Sequence, residues 1–162
     1  GRHVRRAREH RGVDLRLAGR VQVGGELALR ERPAAPDIPD RDPDAAVALP
    51  TREDQALIYR LSGDRNPLHS DPWFAQLAGF PKPILHGLCT YGTVCRVIVD
   101  EVLGGDVTAV ADYSASFAGV VFPGESLAVE VWEDGSRLLA TATVVERDGA
   151  KALGNVVCER RQ

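Results

Sequence analysis

The chain has 162 residues, 44% of them apolar, with 20 Lys and Arg against 23 Asp and Glu, which is the composition of one globular domain long enough to bury its own core. Its 16 Gly and 10 Pro follow no period and aliphatic residues are plentiful, which excludes collagen-like, coiled-coil and disordered classes. The longest uncharged apolar run, Ile84 to Cys95, is followed by Arg96, Asp100 and Glu101, well short of the roughly 20 residues that a bilayer span needs.

Three cysteines, Cys89, Cys95 and Cys158, form no CxxC pair and read as free thiols, small buried apolar groups in a reducing compartment. No secretory pattern opens the chain, so a cytoplasmic location is expected, with no membrane partner. There is no Met at all, as expected of a chain whose start has been processed or that is a piece of something longer.

In chain order, residues 1–20 carry seven arginines against Glu9 and Asp14, a net charge of +5. No aromatic residue interleaves with them, so a solvated or partner-packed arm is expected rather than a nucleic-acid contact. Residues 33–50, with Pro33, Pro36, Pro39 and Pro43, have the composition of a stiff extended linker. A boundary belongs here: 1–44 as a basic segment and linker, 45–162 as the folded domain. Thr51, with Asp54 three residues on, predicts a capped helix that ends near Ser62-Gly63. A loop follows over 63–69. Asp71, Pro72 and Gly79 then bracket a short helix by the proline-first, glycine-last asymmetry of helices.

Phe80-Pro-Lys-Pro83 forces extended chain, and Gly87 to Leu103 reads as a long helix stopped by Gly104-Gly105. Its apolar residues cover nearly the whole circumference, so the pattern predicts a core helix surrounded by protein. From Val107 the period becomes two: Tyr113, Ala115 and Phe117 alternate with polar residues, as do Leu127, Val129 and Val131. Asp134-Gly135 and Asp148-Gly149 sit where tight hairpin turns need left-handed backbone. About four strands in an antiparallel meander are predicted, joined by a further strand near Ala45 to Leu49. The expected class is α+β, a sheet curling round one buried helix.

The segment with chemical potential is Tyr59-Arg-Leu-Ser-Gly-Asp-Arg-Asn-Pro-Leu-His-Ser-Asp71. Asp64 and His69 would diverge on a regular helix, but Gly63 and Pro67 hold the stretch as a loop in which both side chains can turn to one point. A carboxylate and an imidazole converging on one water suit general acid and base work. The plainer alternative is that Asp64 and Asn66 are turn residues bonding their own backbone. In Pro83-Ile-Leu-His-Gly-Leu-Cys-Thr-Tyr-Gly92, Gly87 at the start of the helix leaves an amide free of an intrahelical partner, suited to a developing oxyanion. Its alternative role is to permit close packing, and that of His86 is to be a satisfied structural histidine. Asp64, His69, Asp71 and His86 offer metal ligands, but none has the i, i+4 spacing of helical zinc motifs, and no metal is expected. Phosphate-loop, GxGxxG and Gly-x-Ser-x-Gly patterns are absent, so no cofactor is expected either.

These two loops, with Phe117-Ala-Gly-Val-Val-Phe-Pro-Gly-Glu-Ser-Leu127, resemble the hydratase 2 motif of MaoC-like (R)-specific enoyl-CoA hydratases, over about residues 45–160. The resemblance implies a hot-dog fold, a sheet wrapped round one long helix. It implies that Asp64 and His69 are the catalytic pair, that Asn66 orients groups in their loop, and that the Gly87 N–H is the oxyanion donor. The implied reaction is reversible addition of water to a trans-2-enoyl-CoA, giving the (3R)-hydroxyacyl-CoA, without cofactor or metal. The match is closest to the C-terminal, catalytic half of members with two hot-dog halves, and Val21 to Arg32 reads as the last strand of such a preceding half. A homodimer, or pairing with a second half, is therefore expected. The alternatives are a hot-dog thioesterase, or a non-catalytic acyl-binding or dimerisation subunit.

Overall fold

The computed structural model describes residues 37–161; the basic arm and the strand read at Val21 to Arg32 lie outside the described residues. Five strands form one antiparallel sheet: β1 (Ala45–Pro50), β2 (Val110–Phe117), β3 (Ser126–Asp134), β4 (Arg137–Val144) and β5 (Ala150–Arg160). Their order across the sheet is β1-β3-β4-β5-β2. Only β3, β4 and β5 form a meander. The chain leaves β2 at one edge, crosses through 118–125 and re-enters as β3 beside β1. A simple meander would have paired β2 with β3. The crossing segment is held by Gly119, which approaches the Lys151 carbonyl so closely that a Cβ there would collide with it.

Alternation sets the inner face. Leu127, Val129 and Val131 on β3 and Leu138, Ala140, Ala142 and Val144 on β4 are each 1% exposed or less, and they pack with Val94, Val97 and Ile98 of the long helix. Trp132 and Leu139, paired across β3 and β4 on the other face, are also buried. The alternation alone puts Trp132 on the solvent side. What covers it is part of the proline-rich segment: Trp132 Nε1–H donates to the Arg41 carbonyl at 2.9 Å, and Asp44 N–H donates to Val131 O at 2.8 Å. The extended linker composition read over 33–50 therefore includes a stretch docked on β3 and a paired edge strand, β1.

The helices are α1 (Gln55–Tyr59), α2 (Pro72–Leu77) and α3 (Gly87–Glu101). A 3-10 turn, Arg60–Ser62, extends α1 to Gly63, whose φ of 115° supplies the left-handed stop. The cap read at Thr51 and Asp54 does not form: Asp54 makes no side-chain cap bond, and Thr51 Oγ1 donates to Glu125 O at 2.8 Å instead. Tertiary pairing to the crossing segment has outcompeted a local motif. Asp71 caps α2 as its position predicts, accepting from Trp73 N–H at 2.9 Å.

α3 is buried on one side only, which corrects the expectation of a fully enclosed core helix. Cys89, Thr90, Val94, Val97, Ile98 and Val99 are buried, whereas Leu88 is 51% exposed and Gly92, Arg96 and Asp100 on successive turns face solvent. One five-stranded sheet is wide enough to cover one face of a 15-residue helix and no more. Tyr91 and Tyr113 lock α3 to β2 by mutual hydroxyl-to-carbonyl bonds of 2.6 and 3.2 Å. Burial raises the Tyr113 hydroxyl far above its ordinary pKa, so it stays a donor. Cys89 and Cys158 are buried and the thiols are free; burial pushes Cys158 up to about 11, which keeps it an inert apolar filler.

Gly119→Ala is expected to destabilise the domain by about 2 kcal/mol or more, because the added methyl meets backbone that cannot swing aside. Urea denaturation checks this, and an unchanged midpoint would contradict the crossing geometry.

Candidate active site

The loop between α1 and α2 is built from side chains that bond their own backbone. Asp64 Oδ1 accepts from Asn66 N–H at 3.2 Å, and Asn66 Oδ1 accepts from Leu68 N–H at 3.0 Å. The latter caps a 3-10 turn over Pro67–His69, with Pro67 in its first position. The turn-residue reading of Asp64 and Asn66 thus holds for their local bonds. It does not exclude the other reading, because a carboxylate has two oxygens and four lone-pair positions, and the Asp64 side chain is exposed.

His69 is delivered by that turn onto the segment that leads into α3. Its Nδ1 lies 2.8 Å from the Ile84 carbonyl. A carbonyl can only accept, so Nδ1 carries the proton and Nε2 of the neutral ring presents a lone pair. Ile84 N–H returns a bond to Leu68 O at 3.3 Å. His69 opens on a cleft of about 620 Å³ whose walls include Leu57, Ser70, Lys82 and Pro83, within the usual range for a small-molecule site.

His86 lies behind His69. The two imidazoles stack with centroids 3.7 Å apart and planes at 27°, and Tyr59 packs on His86 at 4.5 Å. His86 is 2% exposed. Its Nε2–H donates to the backbone carbonyl of Asp64 at 3.3 Å, while its buried Nδ1 has no hydrogen-bond partner among the described residues. The sequence reading of a satisfied histidine is therefore only half correct. Burial, followed by the neighbouring His69, pushes the His86 pKa below its ordinary 6.5.

Gly87 is the first residue of α3 and is exposed. Its amide belongs to the first turn, where no intrahelical acceptor exists, at the positive end of the helix dipole. A Cβ at this position would stand 2.9 Å from the Phe117 ring, so close packing against β2 is one reason for glycine and an open amide is a second. Ligand-type atoms of Asp64 and His69 lie close to His86, the residue that immediately precedes Gly87 at the start of α3, and Asn66 shapes the loop between the first two.

One ligand atom each from Asp64, His69 and His86 lies within 4.8 Å of the others. Stacking sends the in-plane lone pairs of the two rings side by side rather than toward a common point, and a carbonyl already holds one nitrogen of each ring. Asp71 is committed to the α2 cap. Sequence reasoning missed the Ile84 carbonyl, which carries no residue-type signal, and the Tyr59–His86–His69 stack, which joins residues from three elements.

Fold and site together define a single hot-dog unit with an Asp/His loop set against the N-terminus of its central helix. The chain belongs to the MaoC like domain family, whose model matches residues 34–153. "Enoyl-CoA hydratase ChsH3" of Mycobacterium tuberculosis is 59% identical over 133 residues, 82% of this chain and 46% of that protein. The structure of a MaoC-like dehydratase from Phytophthora capsici superposes with a TM-score of 0.77 at 39% identity, over 82% of this chain and 45% of the other. The (R)-hydratase from A. caviae involved in PHA biosynthesis superposes with a TM-score of 0.57 at 25% identity, over 74% of this chain and 95% of the other. The chain thus spans about half the length of the mycobacterial relative.

Because the folded state binds a proton at His86 less readily than the unfolded chain does, lowering pH draws the equilibrium toward unfolding from about pH 6.5 downward. NMR titration is expected to place the His86 midpoint below 6.5, with stability falling between pH 7 and 5; a midpoint at or above 6.5 would contradict the burial argument. Asp44, held down to about 2 by Arg41, adds its own loss only in a lower window.

Proposed function

We propose that this chain is an (R)-specific enoyl-CoA hydratase unit, adding water reversibly across the trans-2 double bond of an enoyl-CoA thioester to give the (3R)-hydroxyacyl-CoA. The observation that carries the reading is His69 pinned through Nδ1 to Ile84 O, which leaves Nε2 as an acceptor, with the Asp64 carboxylate within 4.8 Å of the imidazole's ligand nitrogen. The printed names of the relatives supply the substrate class, and the resemblance to the (R)-specific motif supplies the stereochemistry.

The chemistry is compact. A water held between the Asp64 carboxylate and His69 Nε2 attacks Cβ as one of its protons passes to this pair. Electrons of the double bond move toward the thioester, and negative charge grows on its carbonyl oxygen, where the Gly87 N–H is positioned to donate. One proton then returns from the pair to Cα, so hydroxyl and hydrogen are both added and the enzyme ends unchanged. Asn66 acts indirectly, by fixing the turn that carries Leu68 and His69.

Loss of the enoyl-thioester ultraviolet absorbance with crotonyl-CoA, followed by chiral chromatography of the hydrolysed product, tests the assignment. The 3R alcohol is expected. Asp64→Asn and His69→Gln, which retain volume and remove a proton-transfer partner, are each expected to lower turnover by on the order of a hundredfold or more. Predominant 3S product would overturn the assignment, as would normal turnover in either folded variant. Release of free CoA would indicate a thioesterase.

The face of α3 left exposed and the edge position of β2 among the described residues support pairing with a second hot-dog unit, either another copy of this chain or another half of a longer protein. Light scattering of the purified chain is expected to give twice the monomer mass. A stable, fully active monomer at low micromolar concentration would sink the pairing.

A further inference from the structure

His86 is buried at a cost. Its Nδ1 is orphaned among the described residues, and a phenylalanine or leucine at this place would fill much the same space without leaving a polar atom unpaired. What a hydrocarbon could not supply is the Nε2–H that reaches the Asp64 carbonyl at 3.3 Å. Among the described residues the Asp64 side chain bonds only Asn66, two residues along its own loop. Among the described residues, the bond from His86 is therefore the one that ties Asp64 to another part of the fold. The same ring is the plate on which His69 stacks at 3.7 Å, it is backed by Tyr59, and its backbone immediately precedes the Gly87 amide. One side chain thus touches both Asp64 and His69, and its own backbone leads into Gly87, while the cleft at His69 does not include it.

We propose that His86 is a positioning residue of the hydratase site, holding the Asp64 backbone through its Nε2–H and the His69 ring through its face, in register with Gly87. The proposal rests on the assignment of Asp64 and His69 as the proton-transfer pair. It makes the hydrogen bond, rather than the bulk of the ring, the reason for histidine at this position. His86→Phe keeps a flat ring under His69 and removes the donor; His86→Gln keeps a donor at similar reach.

Both variants are made in the full chain and compared with the parent in steady-state hydration of crotonyl-CoA, and by NMR of the Asp64 amide and the His69 Nδ1–H. For His86→Phe, kcat is expected to fall roughly ten- to a hundredfold with KM within about twofold, as for a misplacement of about an ångström in reacting groups. The Asp64 amide resonance is expected to shift and broaden, and the His69 Nδ1–H signal to persist. His86→Gln is expected to restore the Asp64 amide and most of kcat. The proposal is overturned if folded His86→Phe retains kcat within about twofold, if its loss lies in KM, or if His86→Gln is no better than His86→Phe. It is equally overturned if neither variant folds, since His86 would then serve the fold. Should the parent show no hydratase turnover, the functional assignment fails, and the Asp64 resonance still decides whether His86 holds that loop.

Discussion

Ile84 faces both ways. Its amide donates to Leu68 O and its carbonyl accepts a hydrogen bond from His69 Nδ1–H, so the loop after α1 and the segment entering α3 are joined at the point where a histidine needs a defined tautomer. Leu85 N–H, the next donor along, is fastened to Val121 O at 2.7 Å. The segment is consequently gripped from both sides just before Gly87 begins the helix. Without that grip the imidazole would rotate freely and either nitrogen could carry the proton. With it, the lone pair and the open amide are both carried by short backbone pieces whose positions the sheet determines.

The loop itself is economical in long-range contacts. Asp64, Asn66 and Asp71 each bond backbone within three residues, which shapes the turn but does not anchor it. Anchoring comes from Ile84 below His69 and from His86 behind Asp64. The stack also bears on the charge of its deeper member: burial, followed by His69 at 3.7 Å, lowers the pKa of His86. The accessible ring of the pair is the one that meets the cleft.

Large apolar side chains remain exposed around this site, among them Leu57, Leu61, Trp73 and Leu77 on and beside α1 and α2, and Leu88 at the start of α3. Singly such residues are unremarkable; Leu57 lines the cleft at His69 and Leu88 lines a second cleft along α3. The sheet closes over one side of α3 with a densely buried layer from β3 and β4, and its own width prevents it from reaching the other. This one-sided burial agrees with a chain that spans about half of the relative to which it is 59% identical.

Much of this was legible in residue order. Strand alternation identified β2 and β3, and Asp71, Pro72 and Gly79 bounded α2, because these signals act over a few residues and nothing in the fold competes with them. The loop carrying Asp64, Asn66 and His69 was legible for the same reason, since Gly63 and Pro67 keep a continuous α-helix from running through it. Tertiary structure decided what local signals could not. Thr51 gave up a cap for the Glu125 carbonyl, Trp132 was covered by chain some ninety residues away, and β2 went to the far edge of the sheet rather than beside β3. The tautomer of His69 and the orphaned nitrogen of His86 belong to the same class: each depends on a backbone carbonyl, which every residue carries and whose position only the folded chain determines.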